Sequence, residues 1–231
     1  RLYIFDTESN SIETFAPELK NTFNTGACTF SNDLKVMYYT RNRKQKSGKG
    51  IFPLEIALAK HLDNQWLASD AFNLNSLAGN VAHPSVNPKN KLLLFSADLT
   101  PRNGLDLMLA INEGDSWKIS PGTTRNVNSI FTDAFPVFIG SVGFVFSSDR
   151  PGGYGGLDLY YAEIKRDSIT KPVLLPPPFN SEADDYGLIY DASTKTGYFT
   201  STREHAGVDN IYHFQLLKSD DKETAFNTED I

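Results

Sequence analysis

Cysteine is nearly absent: Cys28 is the only one in 231 residues. A single thiol excludes an internal disulfide framework and a cysteine-built zinc cluster, and it leaves the redox compartment unreadable. It lies in Ala27-Cys28-Thr29-Phe30, an apolar, strand-like context where a buried inert thiol is expected rather than a nucleophile. Basic charge is also short. Twenty-two Lys+Arg against 28 Asp+Glu leave a net charge of −6 without a basic aromatic stripe, which argues against nucleic acid as a partner. No apolar run reaches the length of a membrane-spanning helix. No secretory leader opens the chain at Arg1, as expected of a mature form or a fragment. His61, His83, His205 and His213 are scattered, none paired at ligand spacing, so neither a metal nor another cofactor is expected. No Gly-x-Ser-x-Gly elbow leads into a helix, and no base stands beside a candidate serine.

What the chain does have is apolar and aromatic residues, 40% and 12%, enough to bury a sizeable core in one large all-β domain or two ordinary ones. The stretch around which they are organised runs from Phe146 to Tyr161. It predicts a strand over 142–146, a Pro151-Gly152-Gly153-Tyr154-Gly155-Gly156 turn, and a second strand over 157–162. A phosphate cradle would need a helix after the glycines; a strand follows, so the loop reads as a hairpin connection.

That stretch recurs. Tyr39-Thr40-Arg41-Asn42-Arg43, Phe95-Ser96-Ala97-Asp98-Leu99, Phe146-Ser147-Ser148-Asp149-Arg150 and Phe199-Thr200-Ser201-Thr202-Arg203 start roughly 51–56 residues apart, a propeller-like period. A second marker keeps step: Asn24-Thr25, Asn75-Ser76, Asn128-Ser129 and Asn180-Ser181, with a weaker copy at Phe226-Asn227-Thr228. Each unit reads as four short antiparallel strands. The first are placed at 27–30, 84–86, 135–139 and 186–190, and the second at 35–40, 91–96, 142–147 and 196–200. The third fall at 54–59, 105–110, 157–162 and 210–214, and short fourth strands lie near Trp66-Leu67, Trp117-Lys118-Ile119 and Val173-Leu174-Leu175.

The expected fold is therefore an all-β propeller of four-stranded antiparallel blades, four complete and part of a fifth. Residues 1–23 supply outer strands of a partial blade (2–6 and 11–15), blades follow at 24–74, 75–127, 128–179 and 180–226, and 227–231 form a tail. A five-bladed ring with its remaining strands outside this chain fits best; the alternative is a closed four-bladed ring with the N-terminal hairpin on an edge. Pro176-Pro177-Pro178 is expected to stiffen an outer connection as polyproline. The five basic residues within 41–50 read as a solvated loop.

The phrases FSSDRPGGYGGLDLY (146–160), FNSEADDYGLIYDASTKTGYFTS (179–201) and DNIYHF (209–214), with Met37–Asn42 and His83-Pro84-Ser85-Val86, resemble TolB-related, WD-like propeller repeats. More narrowly they resemble those of Bacteroidota OmpA-family outer-membrane-associated lipoproteins, PorE-like proteins of the type IX secretion system. That resemblance implies a periplasmic, outer-membrane-associated scaffold whose partners are proteins, either a β-barrel or a lipoprotein. Peptidoglycan would be bound only through a module that these residues do not include, and the full PGG-GG loop survives only in the third unit.

Two functions compete. As a non-catalytic interaction module, the chain needs no catalytic, cofactor or metal residue. The recurring Glu55, Asp106, Asp158 and Asp209 or Asn210 then fix turns by accepting backbone N–H bonds, helped by Ser147, Ser148, Thr200 and Ser201. As a five-bladed glycoside hydrolase or carbohydrate-binding propeller, it would use Asp133, Asp184 or Asp185 at the central funnel, as a carboxylate pair about 5–9.5 Å apart. Calcium held by Asp158 or Asp149 ranks below both, because no dedicated calcium-loop spacing is present.

Overall fold

The structure, a computed structural model, describes residues 1–19, 24–48, 50–69, 72–99, 104–114, 116–166, 168–205 and 207–216. The Phe226-Asn227-Thr228 copy and the expected tail lie outside the described residues. The architecture is an all-β propeller of four blades. An N-terminal hairpin pairs β1 (Tyr3–Asp6) with β2 (Ser11–Thr14). Blade one is β3 (Thr25–Phe30), β4 (Val36–Asn42), β5 (Leu54–Leu62) and β6 (Gln65–Ala68), hydrogen-bonded in that order. Blade two is β7 (Val81–Val86), β8 (Leu92–Ala97), β9 (Asp106–Asn112) and β10 (Trp117–Ile119). Blade three is β11 (Asp133–Phe138), β12 (Gly143–Ser148), β13 (Asp158–Glu163) and β14 (Val173–Leu174). Blade four shows β15 (Asp185–Asp191), β16 (Thr196–Ser201) and β17 (Asn210–Gln215) among the described residues. No helix among them is long and apolar enough to cross a membrane.

The period-two alternation of a strand decides which neighbour each side chain meets. On blade one, Tyr38, Ile56 and Leu58 face blade two and join Val81, Leu93, Phe95 and Trp117. Their neighbours along the strand, Met37, Tyr39, Ala57 and Ala59, face the other way and receive Leu2 and Phe15 from beside the hairpin. The hairpin thus occupies the flank of blade one that a preceding blade would take, with the Phe15 ring 6.0 Å from Phe30 and 5.9 Å from Trp66. Leu94, Leu107 and Leu109 meet Phe144, Phe146 and Tyr160 between blades two and three. Val145 and Leu159 meet Leu188 and Phe199 between blades three and four.

The Asn of each recurring Asn-Ser/Thr pair turns out to be a tie. The Asn75 side-chain NH2 donates to the Ile56 carbonyl (2.7 Å) while its oxygen accepts the Ile56 N–H (2.9 Å). Asn128 does the same to Leu107 (2.9 and 2.9 Å) and Asn180 to Leu159 (2.9 and 2.7 Å), with a further bond from Asn180 to the Leu175 carbonyl. One amide thereby satisfies the outward-pointing donor and acceptor of the third strand, which would otherwise be left unpaired in the core.

Two expectations need correcting. Pro176–Phe179 is a turn, closed by the Phe179 N–H on the Pro176 carbonyl (3.1 Å), and so not an extended polyproline segment. Cys28 is exposed on β3, within a run of exposed residues from Gly26 to Cys28.

Candidate functional site

Antiparallel pairing brings the start of the first strand, the end of the second and the start of the third to one end of every blade. Across blade three this row reads Asp133, Ser148, Asp158, and across blade four Asp185, Ser201, Asn210. Blades one and two present Thr25, Arg41, Glu55 and Val81, Ala97, Asp106. The junction acids expected from the sequence are therefore collected at one end of the propeller, along with the glycine loop.

Asp133 and Asp185, the carboxylates a hydrolase would call on, are fully buried and engaged on both oxygens. Asp185 Oδ1 is 2.6 Å from an Arg203 guanidinium nitrogen, and its Oδ2 accepts the backbone N–H and hydroxyl of Ser181 (2.6 and 2.8 Å). Asp133 repeats the device with Arg150 and with the Ser129 N–H (2.6 Å) and hydroxyl (2.9 Å). Each arginine is itself fixed. Arg150 lies over the Phe146 and Tyr160 rings (5.2 and 5.0 Å), and Arg203 over Phe199 and Tyr212 (5.1 and 4.9 Å). Their Nε atoms donate to the Ser148 and Ser201 hydroxyls (3.0 and 2.9 Å). A guanidinium lying over two adjoining rings and charge-paired to a buried carboxylate is a rigid strut. Ser148 and Ser201 serve the arginines as well as the turn, whereas Ser147 Oγ is buried without a hydrogen-bond partner among the described residues. Asp184 is exposed and accepts the Leu157 N–H (2.8 Å).

The glycine loop wraps Asp158. Its Oδ2 accepts the Tyr154 and Gly155 N–H groups (2.9 and 3.1 Å), the turn-fixing role read from the sequence. A Cβ on Gly155 would stand 2.4 Å from the Ala183 carbonyl oxygen of the next blade's entry, so only glycine fits that approach. Burial raises the Asp158 carboxyl above the ordinary aspartate value, against the lowering effect of those two N–H bonds. Asp149 accepts the Thr132 N–H (2.7 Å). Among the described residues no group of three or more His, Cys, Asp or Glu is placed to hold a metal ion.

At the hub the innermost strands carry a bulge in every blade, between Gly26/Cys28, Ala82/Ser85, Ala134/Val137 and Tyr186/Ile189. His83 and Phe135 sit at it with φ of 54° and 53°, and Gly187 holds the same place with φ 65°. The His83 and Phe135 rings stack at 3.9 Å, and Tyr186 approaches Phe135 at 5.0 Å, forming an aromatic row across three blades. Desolvation lowers the His83 pKa to about 4, so the ring is neutral at physiological pH. Burial, then a hydrogen bond to Asp209, pushes the Tyr186 phenol well up. In the sequence His83 stands as a histidine without a partner at ligand spacing and as part of the His83-Pro84-Ser85-Val86 repeat phrase; neither shows its ring contact. The signal for the row was the shared bulky-residue–proline step, His83-Pro84 and Phe135-Pro136, at one repeat position.

Around this end the loops expose Ile51, Leu77, Ile130, Phe131, Tyr154 and Val208. All of them lie on second-to-third-strand loops or on the connections leading into a first strand. The basic loop at 41–50 is less free than expected: Arg41 pairs with Glu55 at 2.8 Å, and Arg43 donates to the Asn75 and Ala78 carbonyls. Lys46 lies over the Phe52 ring at 5.1 Å.

No family model matches the chain, and no curated protein sequence does. Solved structures match it in fold. TolB from Acinetobacter baumannii superposes with a TM-score of 0.51 at 17% identity, over 91% of this chain and 44% of that one. A putative TolB from Agrobacterium tumefaciens gives 0.50 at 15%, over 92% and 65%. The periplasmic gluconolactonase of Pseudomonas aeruginosa gives 0.50 at 11%, over 95% and 65%. The chain spans less than two thirds of each of these proteins. At such identities the likeness is one of architecture, which does not transmit activity. The chain is a β-propeller similar in fold to TolB.

Proposed function

We propose that this chain is a non-catalytic, periplasmic protein-interaction propeller of an outer-membrane-associated assembly, presenting its loop-bearing end to a protein partner. The observation that carries the reading is the state of Asp133 and Asp185. Each is buried, bonded on both oxygens and locked to its own arginine, and the same arrangement is built twice. A hydrolytic site needs unlike carboxylates converging on one point. A device built alike in blades three and four supports architecture instead. The exposed Ile130, Tyr154 and Val208 supply the apolar and aromatic anchors that protein interfaces favour. Placement in an OmpA-family, type IX secretion assembly rests on the resemblance of FSSDRPGGYGGLDLY and its companion phrases. Peptidoglycan would be reached only through a separate module.

Two measurements test this. Purified protein should hydrolyse neither lactones nor arabinan- or xylan-type glycosides; turnover that disappears in Asp133→Asn or Asp185→Asn, with the fold intact, would overturn the reading. A photo-crosslinking residue at Ile130 or Tyr154 should capture an outer-membrane protein in cells. The same probe at Val142, exposed on the opposite end, should not.

A further inference from the structure

The N-terminal hairpin is half of a blade. Leu2-Tyr3-Ile4-Phe5-Asp6 aligns with the third strands Leu159-Tyr160-Tyr161-Ala162-Glu163 and Ile211-Tyr212-His213-Phe214-Gln215. The geometry agrees. The Phe15 N–H donates to the Leu2 carbonyl as the Leu175 N–H donates to the Leu159 carbonyl, both at 3.0 Å. Leu2 packs on blade one as Leu159 packs on blade four, each towards the blade that follows. β1 and β2 are therefore a third and a fourth strand, and among the described residues β1 has no neighbour but β2. Since Leu2 bonds towards β2, the alternation of an antiparallel ladder turns the N–H and C=O groups of Tyr3 and Phe5 to the opposite, open edge. The side chains of Tyr3, Ile4, Phe5 and Ile12 are exposed as well.

The far face of blade four is open too. By register Ile211 stands opposite Thr200, as Ile56 stands opposite Thr40, Leu107 opposite Ser96 and Leu159 opposite Ser147. The other three have 0% of their surface exposed, because the next blade's sheet lies over them. Val81 and Phe95 join Ile56, Phe144 and Phe146 join Leu107, and Leu188 and Phe199 join Leu159. Ile211 is 76% exposed and Ile189 52%. Blades succeed one another about a hub, so the sector beyond blade four is the sector that precedes blade one, where the half-blade stands. We propose that this sector is a docking cleft for a partner β-hairpin, the inner half of a blade, which is not part of residues 1–231. One strand of it adds antiparallel to the open edge of β1, and one of its faces covers Ile189 and Ile211 as blade four covers Leu159. The series of blade-to-blade interfaces is thereby continued. The cleft fits two strands of about six residues joined by a tight turn and apolar on both sides, since both faces become buried. A second copy of the chain presents the same two acceptors, with its described first and second strands already built into blades. Residues 217–231 are charged at seven of fifteen positions and hold no pair of apolar runs of strand length.

The probe is a synthetic peptide with the sequence of residues 185–201, the inner hairpin of blade four, added to the full chain. A scrambled peptide of the same composition is the control. Titration should saturate at one peptide per chain. The Tyr3 and Phe5 amides should then exchange more slowly by about ten-fold, the gain of one net backbone hydrogen bond each. Ile211→Asp should weaken binding by about ten-fold or more, the loss of one buried aliphatic contact. Ile130→Asp, at the loop-bearing end, should leave it unchanged, which separates this cleft from the surface proposed above. Unchanged exchange at Leu107 and Leu159 certifies the fold of both variants. Absence of saturable binding, equal binding of the scrambled peptide, or equal weakening by Ile130→Asp overturns the proposal. So does slow Tyr3 and Phe5 exchange before any peptide is added. Protection that fades on dilution puts a second copy in the cleft, and protection that persists puts residues of this chain there.

Discussion

Asn180 shows how much one side chain can hold here. It is almost fully buried and satisfies Leu159 N–H, Leu159 C=O and Leu175 C=O together. Asn180→Ala strands all three in the core and should cost about 3 kcal/mol, read from the denaturant midpoint at constant m-value. Gly155→Ala presses a Cβ against the Ala183 carbonyl oxygen at 2.4 Å, and should cost about 2 kcal/mol through displacement of the loop from the next blade. His83 makes stability depend on pH. Its folded pKa is about 4, whereas an unfolded histidine titrates near 6.5. Between the two, the unfolded chain binds a proton that the folded chain refuses. Stability is therefore intact above about pH 6.5 and falls as the pH drops towards 4, by up to about 3 kcal/mol. His83→Asn, which tolerates the positive φ, should flatten that profile in thermal melts taken across the range.

At the scale of the element, the strut between the start of the first strand and the loop that follows the second decides stiffness. Asp185 is buried against Arg203, and Arg203 is in turn held by two rings and the Ser201 hydroxyl. Asp185→Asn leaves the guanidinium without its counter-charge and should cost about 3 kcal/mol, with Asp133→Asn behaving alike in blade three. The bulge explains why the innermost strands bend at the hub. It places two non-glycine residues at positive φ and aims their rings at each other, a strained arrangement that the His83–Phe135 contact helps to hold. Strand order and approximate limits were legible from turn chemistry and the repeat alone. The arginine strut was not. It joins residues 17 and 18 apart in sequence through a fully buried carboxylate, and an Asp or Arg in a polar stretch carries no mark of its partner.

In the whole molecule, stability is distributed along a row of interfaces between successive blades, each with its own apolar cluster. Neighbouring blades are further stitched by single bonds, such as the His83 N–H on Thr40 Oγ1 (2.9 Å) and the Phe138 N–H on Ser85 Oγ (2.9 Å). Ties in non-adjacent interfaces share no partner. Asn75→Ala and Asn180→Ala should therefore add to within about 0.5 kcal/mol in the double variant, and a larger deviation would reveal coupling through the hub. The same layout gathers every second-to-third-strand loop at one end, which is what makes a shared interaction surface available.

The sequence by itself determined the all-β class, the four-stranded repeat unit and the pairing order, because period-two hydrophobicity and glycine-asparagine turn chemistry are local and recur from unit to unit; it left the size of the ring open between four blades and five. It also marked Asn75, Asn128 and Asn180 as recurring without showing what they do. Tertiary structure alone decided that these amides clasp the preceding blade, that Asp133 and Asp185 spend their charge on arginines, that Cys28 faces solvent, and that His83 meets Phe135. Each of those outcomes depends on which residues of different blades come within a few ångströms, and that is set by how the sheets pack around the hub rather than by any neighbour along the chain.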